Sequence, residues 1–147
     1  MFPALLLALG CSSGGLSPAV TCASVDLQAD TMLQLVAVAN TQARLIADQE
    51  SLAVRPVEPT KFYRQGEPRR TLAQQQARFA TVCTVVAEAS GRFAELLPAP
   101  HGREVGAKGE ALASHCTGIT PTKAAAALKA GQELGAAVQA LVATCRE

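Results

Sequence analysis

The 147-residue chain contains no Trp, one Tyr and four Phe, so aromatics make up 3% of a sequence that is 49% apolar. A core made from such material has to be assembled from small aliphatic side chains, which suits helices that approach one another closely. Charge of either sign is not in excess. The formal net charge of +1 leaves no global basic field for nucleic acid and no acidic tail. Several chemical signatures are missing as well: there is no Cys-x-x-Cys, no Cys-x-x-Cys-His and no His-Glu-x-x-His, the usual marks of a redox dithiol, covalent haem and a zincin. The run Gly102 to Gly109 superficially looks like a phosphate loop. Its spacing is wrong, no Ser or Thr follows Lys108, and no strand precedes it. Period-two alternation is absent throughout, which argues against strands.

What is present begins with the first eleven residues. Phe2 to Leu9 is an apolar run too short to span a bilayer, and it closes on Gly10 and Cys11. The stretch Leu7-Ala8-Leu9-Gly10-Cys11 resembles the signal of a bacterial lipoprotein, although Ala8 and Leu9 stand in the reverse of the usual order and no Lys or Arg precedes the apolar run. The resemblance implies a signal peptide over 1–10, lipidation of Cys11, a tether over 11–17 and a mature domain over 18–147. Ser12 stands behind the Cys where an Asp would imply retention on the inner membrane, so an outer-membrane anchor facing the periplasm is implied. An ordinary secretory signal cut nearby, giving a soluble periplasmic or secreted protein, and an uncleaved cytosolic N-terminus are the other readings. Ser12-Ser13-Gly14-Gly15 has the composition of a flexible linker.

Five cysteines is an odd count for an exported chain. With Cys11 carrying lipid, Cys22, Cys83, Cys116 and Cys145 remain as an even set able to close two disulfides in an oxidising compartment. In the cytosol the same four would be reduced and would pack as small hydrophobes.

From Ser17-Pro18, an N-cap followed by Pro at the first helical position, the periodicity predicts a long helix to about Ala53. Cys22, Val25, Ala29, Met32, Val36, Ala39, Ala43 and Ile46 step by threes and fours along one stripe, with Leu27, Leu35, Val38, Leu45 and Leu52 expected to widen it. Prolines 56, 59 and 68 then bound a long loop over 55–70. A second helix is predicted over Arg70–Leu97, with Leu72, Phe79, Cys83, Val86, Ser90, Phe93 and Leu97 on one face. After a turn over Pro98–Gly102 comes a shorter third helix, Arg103–Cys116, and then a fourth, Pro121–Cys145, opened by Thr120-Pro121. Gly131 and Gly135 on the fourth are expected to seat against the first.

Four helices on short connections prefer an all-α, antiparallel up-down four-helix bundle with a long first and a short third helix. Helix rise places Cys83 and Cys116 at equal height above the turn between their helices, and Cys22 and Cys145 together at the tethered end. The expected disulfides are therefore Cys83–Cys116 and Cys22–Cys145.

The loop over 55–70 is the main candidate for function. Lys61, Phe62, Tyr63, Arg64, Arg69 and Arg70 share it with Arg55, Glu58 and Glu67, for five positive and two negative charges, net +3. At the end of the bundle away from the tether, a cationic aromatic tip suits an envelope protein or an anionic polymer, while the same aromatics could instead fold back to cap the bundle. The alternative is a small periplasmic metal- or haem-binding bundle using His101 or His115 with Met32. An enzyme ranks below both, because too few polar residues face inward to assemble nucleophile, base and orienting group. No cofactor is expected of the leading reading.

Overall fold

A computed structural model describes residues 18–54 and 71–146, and these are all helical or in turns. Four α-helices follow in order: α1 (Pro18–Val54), α2 (Leu72–Glu95), α3 (Ala99–Ala113) and α4 (Pro121–Arg146). α1 packs on α2 and α4, and α3 packs on the same two, while the diagonal pairs stay apart at the level of the backbone. The first helix is the longest and the third the shortest, as the periodicity predicts.

Each helix buries one narrow stripe because its apolar residues recur at threes and fours. On α1 that stripe is Val25, Ala29, Met32, Val36, Ala39, Ala43 and Ile46, all buried. On α2 it is Phe79, Cys83, Val86, Ser90 and Phe93, continued by Leu97 beyond the helix end. α4 contributes Leu134, Val138 and Leu141 interleaved with buried Ala124, Ala127, Ala130 and Ala137. The core is thus narrow, and the glycines let the backbones close onto it. A Cβ built on Gly131 would collide with the Asn40 amide, and one on Gly135 would sit 3.4 Å from Val36 Cγ1. Both glycines of α4 therefore seat against α1, as expected. Cys22 of α1 likewise lies beside Cys145 of α4. Between α3 and α2, Gly102 meets Ala94 and Leu97, Gly109 meets Ser90, and Cys116 meets Cys83.

Three local expectations need correction. α2 starts at Leu72 rather than Arg70 because Thr71 takes the N-cap: its hydroxyl accepts from Gln74 N at 3.2 Å and its own N–H donates to Gln74 Oε1 at 3.0 Å, a reciprocal capping box. The segment 98–102 is not a turn throughout, since α3 already begins at Ala99. Pro100 falls in the first helical turn, where a missing N–H is harmless, and Gly102 N donates to Pro98 O at 2.9 Å. α3 also ends earlier, at Ala113, where Ser114 to Gly118 form turns and Gly118 takes the left-handed backbone at φ 66°. Gln76 Nε2 donates to Ile119 O at 2.7 Å, which ties these turns to α2.

The third correction concerns α1. Leu27, Val38 and Leu45 do not widen the core but are exposed, Leu27 at 74%. Steps of eleven and seven residues put the three on nearly one line, about half a turn round from Ala29, Val36 and Ala43. In a four-helix ring that side of the helix faces outward. Leu35 is half-buried, and the Leu52 side chain lies outside the described residues.

Candidate functional site

The sequence points to three places: the loop over 55–70, the cysteines and the histidines. Cys11 and the loop residues Lys61, Phe62, Tyr63, Arg64, Arg69 and Arg70 lie outside the described residues. So does Gly10-Cys11-Ser12-Ser13-Gly14, which spells the Gly-x-Ser-x-Gly pattern of a hydrolase elbow.

The cysteines fall into two neighbouring pairs. Cys83 on α2 and Cys116 in the turn after α3 bring their α carbons to 5.2 Å, within the span of a disulfide, and both residues are buried. Cys22 near the start of α1 and Cys145 near the end of α4 are half-buried free thiols that lie close together. The Cys22 sulfur as a potential hydrogen-bond partner, then burial, then the negative charge of Cys22 and Asp26 push the Cys145 thiol up to about 11. The Cys145 thiolate is thereby disfavoured at neutral pH.

The histidines are not brought together. His101 lies in the first turn of α3 and His115 just past its end, some 20 Å apart at the helical rise. Among the described residues no three His, Cys, Asp or Glu side chains gather as a metal set. Met32 is 3% exposed and packs in the core.

One surface feature is absent from the sequence reading. α1 and α2 enclose an open groove of about 370 Å³ toward the start of α1 and the end of α2, with Leu27, Thr31 and Leu35 on one wall and Ala89, Arg92 and Leu96 on the other. Met32 and Phe93 form its floor. The groove belongs to a longer apolar face, because Val38 and Leu45 continue it along α1 and Val85 continues it along α2. Among the described residues every exposed large apolar side chain lies on these two helices, and α3 and α4 have none. Thr31 and Thr41 fit the same surface: their hydroxyls donate to Leu27 O at 3.2 Å and Ala37 O at 2.9 Å along their own helix. The signal was available in the seven- and eleven-residue steps, which set Leu27, Val38 and Leu45 off the core stripe.

The glycines of the phosphate-loop lookalike are packing devices. Gly102, Gly106 and Gly109 face α2, and a Cβ on Gly102 would sit 2.6 Å from Ala94 O. On the other side of α3, Lys108 donates to Glu133 of α4 at 2.9 Å, and this hydrogen-bonded ion pair holds the Glu133 carboxyl below the usual range. No helix among the described residues is long and apolar enough to cross a membrane. Comparison with protein-family models, curated proteins and solved structures returns no match.

Proposed function

We propose that this chain is an exported lipoprotein of the bacterial cell envelope, anchored through lipid on Cys11, that binds or scaffolds rather than catalyses. In this reading the domain is an antiparallel up-down four-helix bundle with two disulfides, Cys83–Cys116 and Cys22–Cys145. It sits on the outer membrane and faces the periplasm.

The observation that carries the proposal is the pairing of the cysteines. Apart from Cys11, each has another cysteine as neighbour: one pair at bonding distance, the other two free thiols lying close together. Four thiols arranged as two spatial pairs suit an oxidising compartment, and the fifth is the one the signal-like stretch sets aside for lipid. The functional surface in this reading is the loop over 55–70, with Lys61, Phe62, Tyr63, Arg64, Arg69 and Arg70. It leaves α1 about 54 Å along the helix from the tether, given the rise per residue. Its net +3 suits an anionic envelope polymer or an acidic protein surface.

Mass spectrometry of the protein purified from its own membranes tests the proposal. The expected species lacks residues 1–10, carries lipid on Cys11 and has no alkylatable thiol. Recovery with Met1 attached and all five thiols free would remove the compartment, the second staple and the anchor together.

A further inference from the structure

We infer that the outward face of α1 and α2 is the contact surface of a twofold dimer of this chain, with the two α1 helices packed antiparallel. The inference stands whether or not Cys11 carries lipid.

The face is apolar where the rest of the described surface is not, since all five exposed large apolar side chains lie on α1 and α2. Its extent matches an interface rather than a small-molecule site. From Leu27 to Leu45 the stripe runs about 27 Å, and two helices side by side are about 20 Å wide. The projected area is then about 540 Å², of the order of the roughly 800 Å² of corrugated surface that each partner contributes to a standard interface.

The pattern on α1 selects a second copy as the occupant. Counted from Val36, Leu27 and Leu45 lie nine residues to either side, Thr31 and Thr41 five, and Gln34 and Val38 two. A twofold contact requires that residue i meet j while j meets i, and the Leu and Thr positions of this stripe repeat on either side of Val36, with Gln34 opposite Val38 at the centre. An axis crossing α1 at the level of Val36 sets Leu27 on Leu45 of the second copy and Thr31 on its Thr41. The two threonines have their hydroxyls bonded to their own helix, so they need no polar partner there. Gln34 donates to Asp30 at 3.2 Å and is likewise supplied beside Val38. Val85, Ala89 and Leu96 of α2 flank the seam.

On the flank of the stripe away from α2, the same register brings Asp30 within two residues of Arg44 of the second copy, twice by symmetry. It also brings Asp48 toward Asp26 of the second copy. Those two like charges work against the pairing in this register.

Sedimentation equilibrium of the full chain in a mild non-ionic detergent tests the pairing. The expected species has twice the chain mass of 15.2 kDa. Leu27→Gln with Leu45→Gln should raise the dissociation constant at least about tenfold while the helical circular dichroism is unchanged, because both side chains are already exposed. Asp30→Arg and Arg44→Asp should each weaken association severalfold, and combining them should restore it. A chain that stays monomeric at roughly 100 µM, where even weak micromolar pairing is populated, overturns the inference. Association that ignores the two leucine replacements comes from another surface, such as the apolar N-terminal run, and overturns it equally. Failure of the combined charge exchange to restore pairing overturns the antiparallel register.

Discussion

The thiols of Cys22 and Cys145 stand side by side, one near the start of α1 and the other near the end of α4. In the reduced protein the raised Cys145 value makes stability depend on alkaline pH. A thiol that titrates near 9 when unfolded and near 11 when folded binds its proton more tightly in the folded state. The contribution is whole below about pH 9 and is lost as the pH rises toward 11. Denaturant melts of the reduced protein should show this fall, and Cys145→Ser should remove it.

The buried disulfide has a different and larger role. Cys83 and Cys116 close a loop with a sequence separation of 33, so replacing both by Ala should cost about 3 to 4 kcal/mol in the chain-entropy model. Urea titration at neutral pH measures this directly. A loss under about 1 kcal/mol would mean that the two cysteines are reduced in the native molecule.

Glycines on the same scaffold should respond in opposite directions. Gly91 is exposed four residues before the end of α2 with nothing within 4 Å of an added Cβ, so Gly91→Ala should stabilise by up to about 0.5 to 1 kcal/mol. Gly109 and Gly131 have Ser90 and Asn40 where the new atom would go, so Gly109→Val and Gly131→Val should destabilise by about 1 to 3 kcal/mol or more. Thermal melts of the three variants should separate cleanly in sign.

At the acidic end the Lys108–Glu133 pair sets the sign. Its depressed carboxyl contributes stability above the normal Glu range, and that contribution is lost as the pH falls through its folded value. Titration of Glu133 followed by carbon NMR should give a midpoint below that of an ordinary Glu. Lys108→Met should return it toward normal.

At the loop over 55–70, replacing Phe62, Tyr63, Arg64 and Arg69 by Ala should leave the helical circular dichroism unchanged and reduce retention on an anionic envelope polymer. Equal retention of the two proteins on that polymer would rule out the loop as its binding surface.

Much of the helical frame was legible in the residues. The three-four stripes of α1 and α2 name their buried side chains, and the hydroxyl-Pro starts at Ser17-Pro18 and Thr120-Pro121 mark two helix beginnings. Equal height above a turn was enough to set Cys83 beside Cys116. What was not legible depended on neighbours. Pro100 and Gly102 read as a turn because local propensity cannot see that Gly102 must admit the Ala94 carbonyl. Leu27, Val38 and Leu45 read as core because an apolar residue near a stripe looks the same whether a third helix covers it or solvent does. The ring of four helices decides that, and it leaves the outer side of α1 bare.

The seam between α1 and α4 restricts how this sequence can drift. Gly131 and Gly135 already stand at the small end of the amino-acid scale, so every replacement there adds atoms toward Asn40 and Val36. A relative that keeps this spacing between helices is confined to the smallest side chains at these two positions, while one that gains a branched side chain there must move α4 outward.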